Sequence, residues 1–134
     1  SVDSLKLAKE INRRAGNKGI TMDVLIQVNV AQEDSKYGID AEEAVPLIEE
    51  ILKNYENIRV RGLMTIAPFE ENPEDVRKYF KQLKALYDSC ATIKHERLDF
   101  KYLSMGMTND YEVAIEEGSN LIRIGTAIFG ERKY

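Results

Sequence analysis

The sequence predicts an α/β fold built on a parallel sheet, and three observations predict it. Apolar segments of strand length alternate with amphipathic segments of helix length along the whole chain. The first apolar segment, Val24 to Val30, is nearly continuous in hydrophobic character, which is typical of parallel strands covered on both faces. The connections are short, as in right-handed βα units. Four such units in 134 residues make either a small open sheet or half of a (β/α)₈ barrel, since a complete barrel takes about 250 residues.

Two helices are predicted around the first strand. Apolar residues at helical spacing predict a helix over residues 2–15, with Ser1, Asp3 or Ser4 as N-cap and Gly16 as its end. A polar loop follows the strand, and then Asp40 with Glu43 resembles a capping box that opens a second helix. Because Pro46 lies too deep for the first turn of that helix, the helix either begins near Val45 or bends at the proline.

The second half of the chain continues the alternation. A strand is predicted over Ile58 to Ile66, followed by a helix that Asn72 caps, that has Pro73 at its first position and that extends to Cys90. The remaining elements are shorter, and they are a strand over 100–104, a helix over 108–117 and a strand over 121–124.

Composition excludes several classes of protein. The chain is 43% hydrophobic and 31% charged, which is typical of one soluble globular domain over residues 1–134. The formal net charge is −4 with the two signs interspersed, so we expect no nucleic-acid partner. No apolar run approaches the roughly 20 residues of a membrane helix, so we expect no membrane partner. The single cysteine, Cys90, suggests a reducing compartment, and a cytoplasmic location is the default.

The residues near the last two strands include the groups best suited to bind a ligand. Ser104-x-Gly106-x-Thr108, running directly into a helix, would present a hydroxyl, a glycine and free amide groups, which suit a phosphate. Gly125 and Thr126, one strand later, could add two more amides and a hydroxyl. The alternative is that the first segment is ordinary punctuation between a strand and a helix.

Arg123 lies within an otherwise apolar strand, where a buried guanidinium needs acceptors. It either forms a structural ion pair, with an acid such as Asp110 or Glu112, or donates permanently to a ligand atom. Lys36 is on the loop side of the first strand, where a solvated role is the simplest interpretation. His95 has no partner at ligand spacing, so we expect no metal site, and Cys90 falls on the apolar stripe of its helix as a packed thiol.

Several segments together resemble one family, the pyridoxal phosphate homeostasis proteins. The segments are 24–30 followed by Asp34 to Ile39, Arg61 to Ile66, Leu103 to Asp110, and Arg123 to Gly130. These proteins are single-domain barrels similar to the N-terminal domain of alanine racemase, and the resemblance covers essentially the whole chain. The family is regarded as carriers and regulators of cofactor supply rather than as catalysts.

The resemblance implies a pyridoxal 5′-phosphate site at the mouth of a barrel. Ser104 and Gly106 would hold the phosphate, Gly125 and Thr126 would close it from the next strand, and Arg123 would face the pyridine nitrogen. An arginine does not give up its proton to the ring, so that nitrogen would stay an unprotonated acceptor and the cofactor a weak electron sink. Such a site suits storage or delivery of the cofactor.

The sequence also departs from the family pattern. The family's lysine that holds the cofactor covalently lies on the first strand of the barrel, and by the alignment of motifs that strand is absent here. Lys36 matches a different lysine, so the covalent role is not transferred to it. We therefore expect a fragment, the C-terminal half of the barrel, that associates with the missing N-terminal half or with itself through its exposed strand edges.

Three hypotheses about function remain. The first is a cofactor-binding module of a homeostasis protein, without catalytic residues of its own. The second is half of a racemase-like enzyme whose partner supplies the lysine and the acid or base, an idea that rests on fold analogy alone. The third is a purely structural half-barrel with only a vestigial anion site.

Overall fold

The computed structural model describes residues 1–33 and 37–133, and this part of the chain contains four β-strands and five α-helices. The strands are β1 (Met22–Gln27), β2 (Ile58–Met64), β3 (Leu98–Met107) and β4 (Leu121–Arg123). The α-helices are α1 (Leu5–Asn17), α2 (Ala44–Asn54), α3 (Arg77–Cys90), α4 (Tyr111–Glu116) and α5 (Thr126–Phe129). Short 3₁₀ turns over Ala41–Glu43 and Pro73–Val76 precede α2 and α3.

The strands form one parallel sheet in the order β1-β2-β3-β4. Each strand is therefore the neighbour of the one before it in the chain. A doubly wound sheet reverses its strand order at a switch point, whereas a (β/α)₈ barrel keeps its strands in sequence. The predicted α/β class and parallel sheet are confirmed, and the sequential order is that of a barrel segment.

The first two helices begin where local hydrogen bonding allows. The Ser4 hydroxyl accepts a hydrogen bond from the Leu7 amide at 3.1 Å, which makes Ser4 the N-cap of α1. Gly16 does not end this helix as predicted, because α1 continues to Asn17. Asp40 makes no side-chain cap bond, so the predicted capping box is wrong; α2 begins at Ala44, which places Pro46 in the first turn, where its missing N–H costs nothing.

The region around β3 differs most from the sequence prediction. β3 spans Leu98–Met107 instead of ending at Ser104, and α4 begins at Tyr111 instead of Thr108. The reason is a turn in which the Asp110 carboxylate accepts a hydrogen bond from the Met107 amide at 2.8 Å. The Asp110 amide also donates to the Met107 carbonyl at 3.2 Å, so the two bonds close a turn over residues 107–110 and the helix begins only after it.

The core lies between the helices and one face of the sheet. Val24 and Ile26 of β1 and Val28 just after it are buried, and they pack in one cluster with side chains such as Ile48 of α2 and Phe80 of α3. The alternate β1 positions are exposed or only half buried. The prediction that this strand is covered on both faces therefore holds for one face only in this chain.

The opposite face of the sheet is open and carries a charged cluster near the amino ends of the strands. The Arg61 guanidinium is 3.4 Å from the Asp23 carboxylate and 3.7 Å from that of Asp99, and it lies over the Tyr102 ring at 5.5 Å. An open cavity of about 340 Å³ lies beside this cluster, and Leu121 is among the residues that line it. This face has no covering layer in the described part of the chain.

Both edges of the sheet have little cover. Val2 pairs in parallel with Ile26 at the outer edge of β1 through two backbone hydrogen bonds, of 2.8 and 2.9 Å, and is fully buried. At the other edge, β4 is three residues long and pairs only with β3 among the described strands. None of the described helices is both long and apolar enough to cross a bilayer.

Cys90 ends α3 inside the core and is fully buried. Burial raises the pKa of its thiol to about 11, so the thiolate form is scarce near neutral pH. The prediction of a packed thiol is confirmed.

Candidate functional site

An open cavity of about 830 Å³ lies at the carboxyl ends of the strands. Three segments that are far apart in the sequence form it: the loop after β2, the turn between β3 and α4, and the residues from Gly125 onward. Its lining residues are Ile66, Ala67, Phe69, Met107, Thr108, Asn109, Asp110, Gly125, Thr126, Phe129, Gly130 and Arg132. Parallel α/β proteins bind their ligands at this end of the sheet.

Gly125 and Thr126, which the sequence singled out, line this cavity. Gly125 precedes the single-turn helix α5, and neither its amide nor that of Thr126 donates a hydrogen bond to another described residue. The Thr108 hydroxyl accepts a hydrogen bond from the Ala127 amide at 3.3 Å. The Ser-x-Gly-x-Thr segment and the Gly-Thr segment are thus in contact through Thr108, the last residue of the first motif.

Ser104 and Gly106 do not line the cavity. Ser104 is buried within β3, where its carbonyl accepts a hydrogen bond from the Thr65 amide at 3.0 Å. The expectation that this segment runs directly into a helix is wrong, because β3 continues past it and α4 starts only at Tyr111.

Gly106 has a packing role that the sequence did not reveal. Its φ is +103°, and a Cβ at this position would lie 2.7 Å from Ala114 Cβ and 3.1 Å from Tyr111 Cα. A side chain at this position would therefore push α4 away from β3.

Arg123 reaches from β4 across β3 to the end of β2. Its Nη2 donates a hydrogen bond to the Thr65 carbonyl at 2.6 Å. No salt bridge joins Arg123 to an acid in residues 1–33 and 37–133, so the predicted ion pair with Asp110 or Glu112 is wrong. Its Nε is buried and has no hydrogen-bond partner. A buried donor without an acceptor costs about 1–3 kcal/mol, so this atom needs an acceptor that the described residues do not supply.

The charge of Arg123 is set by two opposing influences. Burial lowers the pKa of its guanidinium, and the nearby Asp110 carboxylate opposes that effect. The ordinary pKa of an arginine lies far above neutral pH, so the side chain stays positive near neutral pH. Arg123 is not among the residues that line the cavity, and its positively charged side chain keeps a buried Nε–H without an acceptor among the described residues.

Thr65 holds the partner of Arg123 in place. The residue is fully buried at the end of β2, and its hydroxyl donates a hydrogen bond to the Val28 carbonyl at 2.6 Å. The sequence placed Thr65 near the end of the predicted strand Ile58 to Ile66 but gave no reason to single it out, because its contacts all come from distant parts of the chain.

Two other predictions concern Lys36 and His95. Lys36 lies outside the described residues. The His95 Nδ1 accepts a hydrogen bond from the Arg97 amide at 3.0 Å, which is a local turn contact. Within the described ranges, no group of three or more histidine, cysteine or acidic side chains is placed to hold a metal ion.

Comparison with known proteins places the chain among relatives of one kind. The family model of the alanine racemase N-terminal domain matches residues 1–133. The pyridoxal phosphate homeostasis protein of Aquifex aeolicus is 49% identical over 134 residues, which are all of this chain and 58% of that protein. The chain therefore spans somewhat more than half the length of this relative.

Solved structures agree with this family match. PipY of Synechococcus elongatus PCC7942, solved with PLP bound, superimposes with a TM-score of 0.81 at 29% identity over 97% of this chain and 59% of that one. Alanine racemase of Clostridium difficile 630 superimposes with a TM-score of 0.70 over 99% of this chain and 36% of that one at 22% identity, which is a likeness of fold alone. The half-barrel architecture is confirmed.

Proposed function

The chain belongs to the alanine racemase N-terminal domain family, and we propose that it binds pyridoxal 5′-phosphate as part of a protein of cofactor homeostasis. A relative with 49% identity carries the name of such a protein, and PipY, with 29% identity, was solved with PLP bound. The proposal extends the homeostasis role and the PLP binding of those proteins to this chain, which spans 58% of the Aquifex aeolicus relative.

The unpartnered Nε of Arg123 is the observation that carries the proposal. The pyridine nitrogen of the cofactor is a hydrogen-bond acceptor when it is unprotonated, and an arginine N–H is a donor that does not lose its proton near neutral pH. The donor and the acceptor are thus complementary. Contact with the ring nitrogen would satisfy a buried group that is otherwise left without a partner.

The phosphate is proposed to lie against Gly125 and Thr126 on the cavity side, with Ser104 and Gly106 behind them in β3. The free amides of Gly125 and Thr126 are donors of the kind that phosphate oxygens accept. The packing role of Gly106 is compatible with this, because it keeps α4 close to the floor of the site.

We propose a carrier rather than a catalyst. When bound, the cofactor supplies an electron sink for reactions at amino-acid carbons, and that capacity depends on protonation of the ring nitrogen. Arg123 would hold this nitrogen in its unprotonated form. The residues around the cavity orient the ring and the phosphate, and none of the proposed roles moves a proton.

The first experiment is a titration of the purified chain with pyridoxine 5′-phosphate. This probe has the phosphate and the ring nitrogen but no aldehyde, so it does not react with surface lysines. We expect saturable binding and a rise in melting temperature, since a ligand that binds only the folded state stabilises it. Inorganic phosphate is the control for the phosphate contacts alone, and the absence of stabilisation by pyridoxine 5′-phosphate would refute the proposal and favour the structural half-barrel.

We also propose that residues 1–134 are the C-terminal part of a longer barrel and that the open sheet face is covered by association. The relative from Aquifex aeolicus is longer than this chain, which spans 58% of it. The short β4 edge and the buried Arg61 Nε, which has no partner, both lie on or beside the open face. The cytoplasmic location stays a prediction.

Light scattering coupled to gel filtration tests this association. We expect a particle of twice the 15.3 kDa chain mass when the chain is alone. The reason is that the unpaired N–H and C=O groups of an edge strand pair readily with those of another chain. A strictly monomeric chain that also fails to bind separately produced N-terminal strands of the Aquifex aeolicus relative would contradict the association.

A further inference from the structure

We propose that Thr65 is the positioning residue for Arg123, and that its hydroxyl fixes the carbonyl on which the guanidinium is held. The proposal rests on the proposed function, because it concerns how the donor to the cofactor ring is oriented. Nothing in the names of the related proteins assigns a role to this residue.

Thr65 joins all four strands at the mouth of the half-barrel. Its hydroxyl donates to the Val28 carbonyl next to β1 at 2.6 Å, and its amide donates to the Ser104 carbonyl in β3 at 3.0 Å. Its own carbonyl, at the end of β2, accepts from Arg123 of β4 at 2.6 Å. The three bonds use the hydroxyl, the amide and the carbonyl of one residue.

The bond to the Thr65 carbonyl fixes the orientation of the Arg123 side chain. A long arginine side chain loses about 2 kcal/mol of rotamer freedom when it is fixed, so it needs a rigid acceptor to stay in one orientation. The bond to the Thr65 carbonyl is the only hydrogen bond of the Arg123 guanidinium to the described residues. The position of that carbonyl therefore decides where the free Nε–H points.

The hydroxyl is the part of Thr65 that a substitution can remove cleanly. Thr65 is fully buried, so its hydroxyl does not exchange the Val28 bond for water. Valine keeps the branched shape but brings a methyl group against the Val28 carbonyl, which would move the end of β2. Serine keeps the hydroxyl and so should keep the bond.

The first readout needs no ligand. We expect the ¹⁵N–¹H signal of the Arg123 Nε–H to be sharp and protected from water in the parent chain, because that atom is buried. In Thr65→Val the signal should broaden or merge with those of exposed arginines, and in Thr65→Ser it should stay in place.

Two control variants separate positioning from a general loss of stability. Thr92→Val removes a hydroxyl that donates to the Ser89 carbonyl at 2.7 Å, far from Arg123 in sequence. Ile51→Val weakens the fully buried core under α2 without touching the mouth of the half-barrel. Both should leave the Arg123 signal unchanged even if they lower the melting temperature.

The second readout is affinity for pyridoxine 5′-phosphate. Thr65→Val should weaken it about fivefold, with little added loss when Arg123→Met is combined with it, since two residues that act through one contact are not additive. If the Arg123 signal responds to Thr65→Val while the parent chain binds no ligand, the proposed function fails and the positioning role stands. If Thr65→Val leaves both the signal and the affinity unchanged, the positioning role is overturned and the function is unaffected.

Discussion

Replacing Arg123 by methionine should weaken the binding of pyridoxine 5′-phosphate at least tenfold. The expected loss follows from the unpartnered Nε, because hydrogen bonds to charged groups contribute about 1.5–3 kcal/mol and about 1.4 kcal/mol corresponds to a factor of ten. Methionine fills much of the same space without donating a hydrogen bond. Isothermal titration calorimetry on the parent chain and the variant measures the difference.

The control for this substitution is Arg59→Met. Arg59 lies on β2 of the same sheet, its side chain is 43% exposed, and it is 3.8 Å from the Asp23 carboxylate. An exposed pair of this kind contributes little, so both stability and affinity should stay close to those of the parent chain. Equal affinities of the Arg123→Met variant and the parent would contradict the assigned role of Arg123, whereas an equal loss in Arg59→Met would point to nonspecific electrostatics.

Gly62→Ala should prevent the chain from folding or lower its free energy of unfolding by about 4 kcal/mol or more. Gly62 lies where the register between β2 and both of its neighbours shifts. Its φ is +153°, and a Cβ there would lie 1.7 Å from the Tyr102 carbonyl oxygen. Because the clash is with the backbone of the adjacent strand, the two central strands would have to separate, and a domain of this size is stable by only about 5–15 kcal/mol.

Gly19→Ala is the matched control. Gly19 also has a positive φ, of +67°, but no atom lies within 4 Å of a Cβ built there. It should cost only the conformational strain, about 1–2 kcal/mol. Urea unfolding of both variants by circular dichroism isolates the cost of the clash, and similar losses in the two would contradict the close approach of β2 and β3.

The sequence was sufficient where the governing interactions are local. The spacing of hydrophobic residues predicts helices and strands, and the short connections between them predict a parallel sheet. Both features depend on neighbours within a few residues. The choice between a bend at Pro46 and a helix start near Val45 also depends on local interactions. The sequence left that choice open, and the structure shows that α2 starts at Ala44. The motif of residues 123–130 led to the family that the comparisons confirm.

The structure decided the matters that depend on distant contacts. The sequence offered acids as partners for Arg123, but the partner is the Thr65 carbonyl, 58 residues away. The resemblance assigned Gly106 to a phosphate, and the structure adds that a Cβ at this position would meet Ala114 and Tyr111 of α4. The turn at Asp110, after which α4 begins, has no signature in residue spacing.

The sequence by itself determined the α/β class and the order of the elements. It also determined the residue types of the proposed site, which are an arginine for the ring nitrogen and a Gly-Thr pair for the phosphate. Those features follow from backbone propensities and from the pattern of burial along the chain. Only the tertiary structure decided which donors are already satisfied and which remain free. That distinction depends on strand register and on packing between segments tens of residues apart, and it is what identifies the Arg123 Nε as a buried donor without a partner among the described residues.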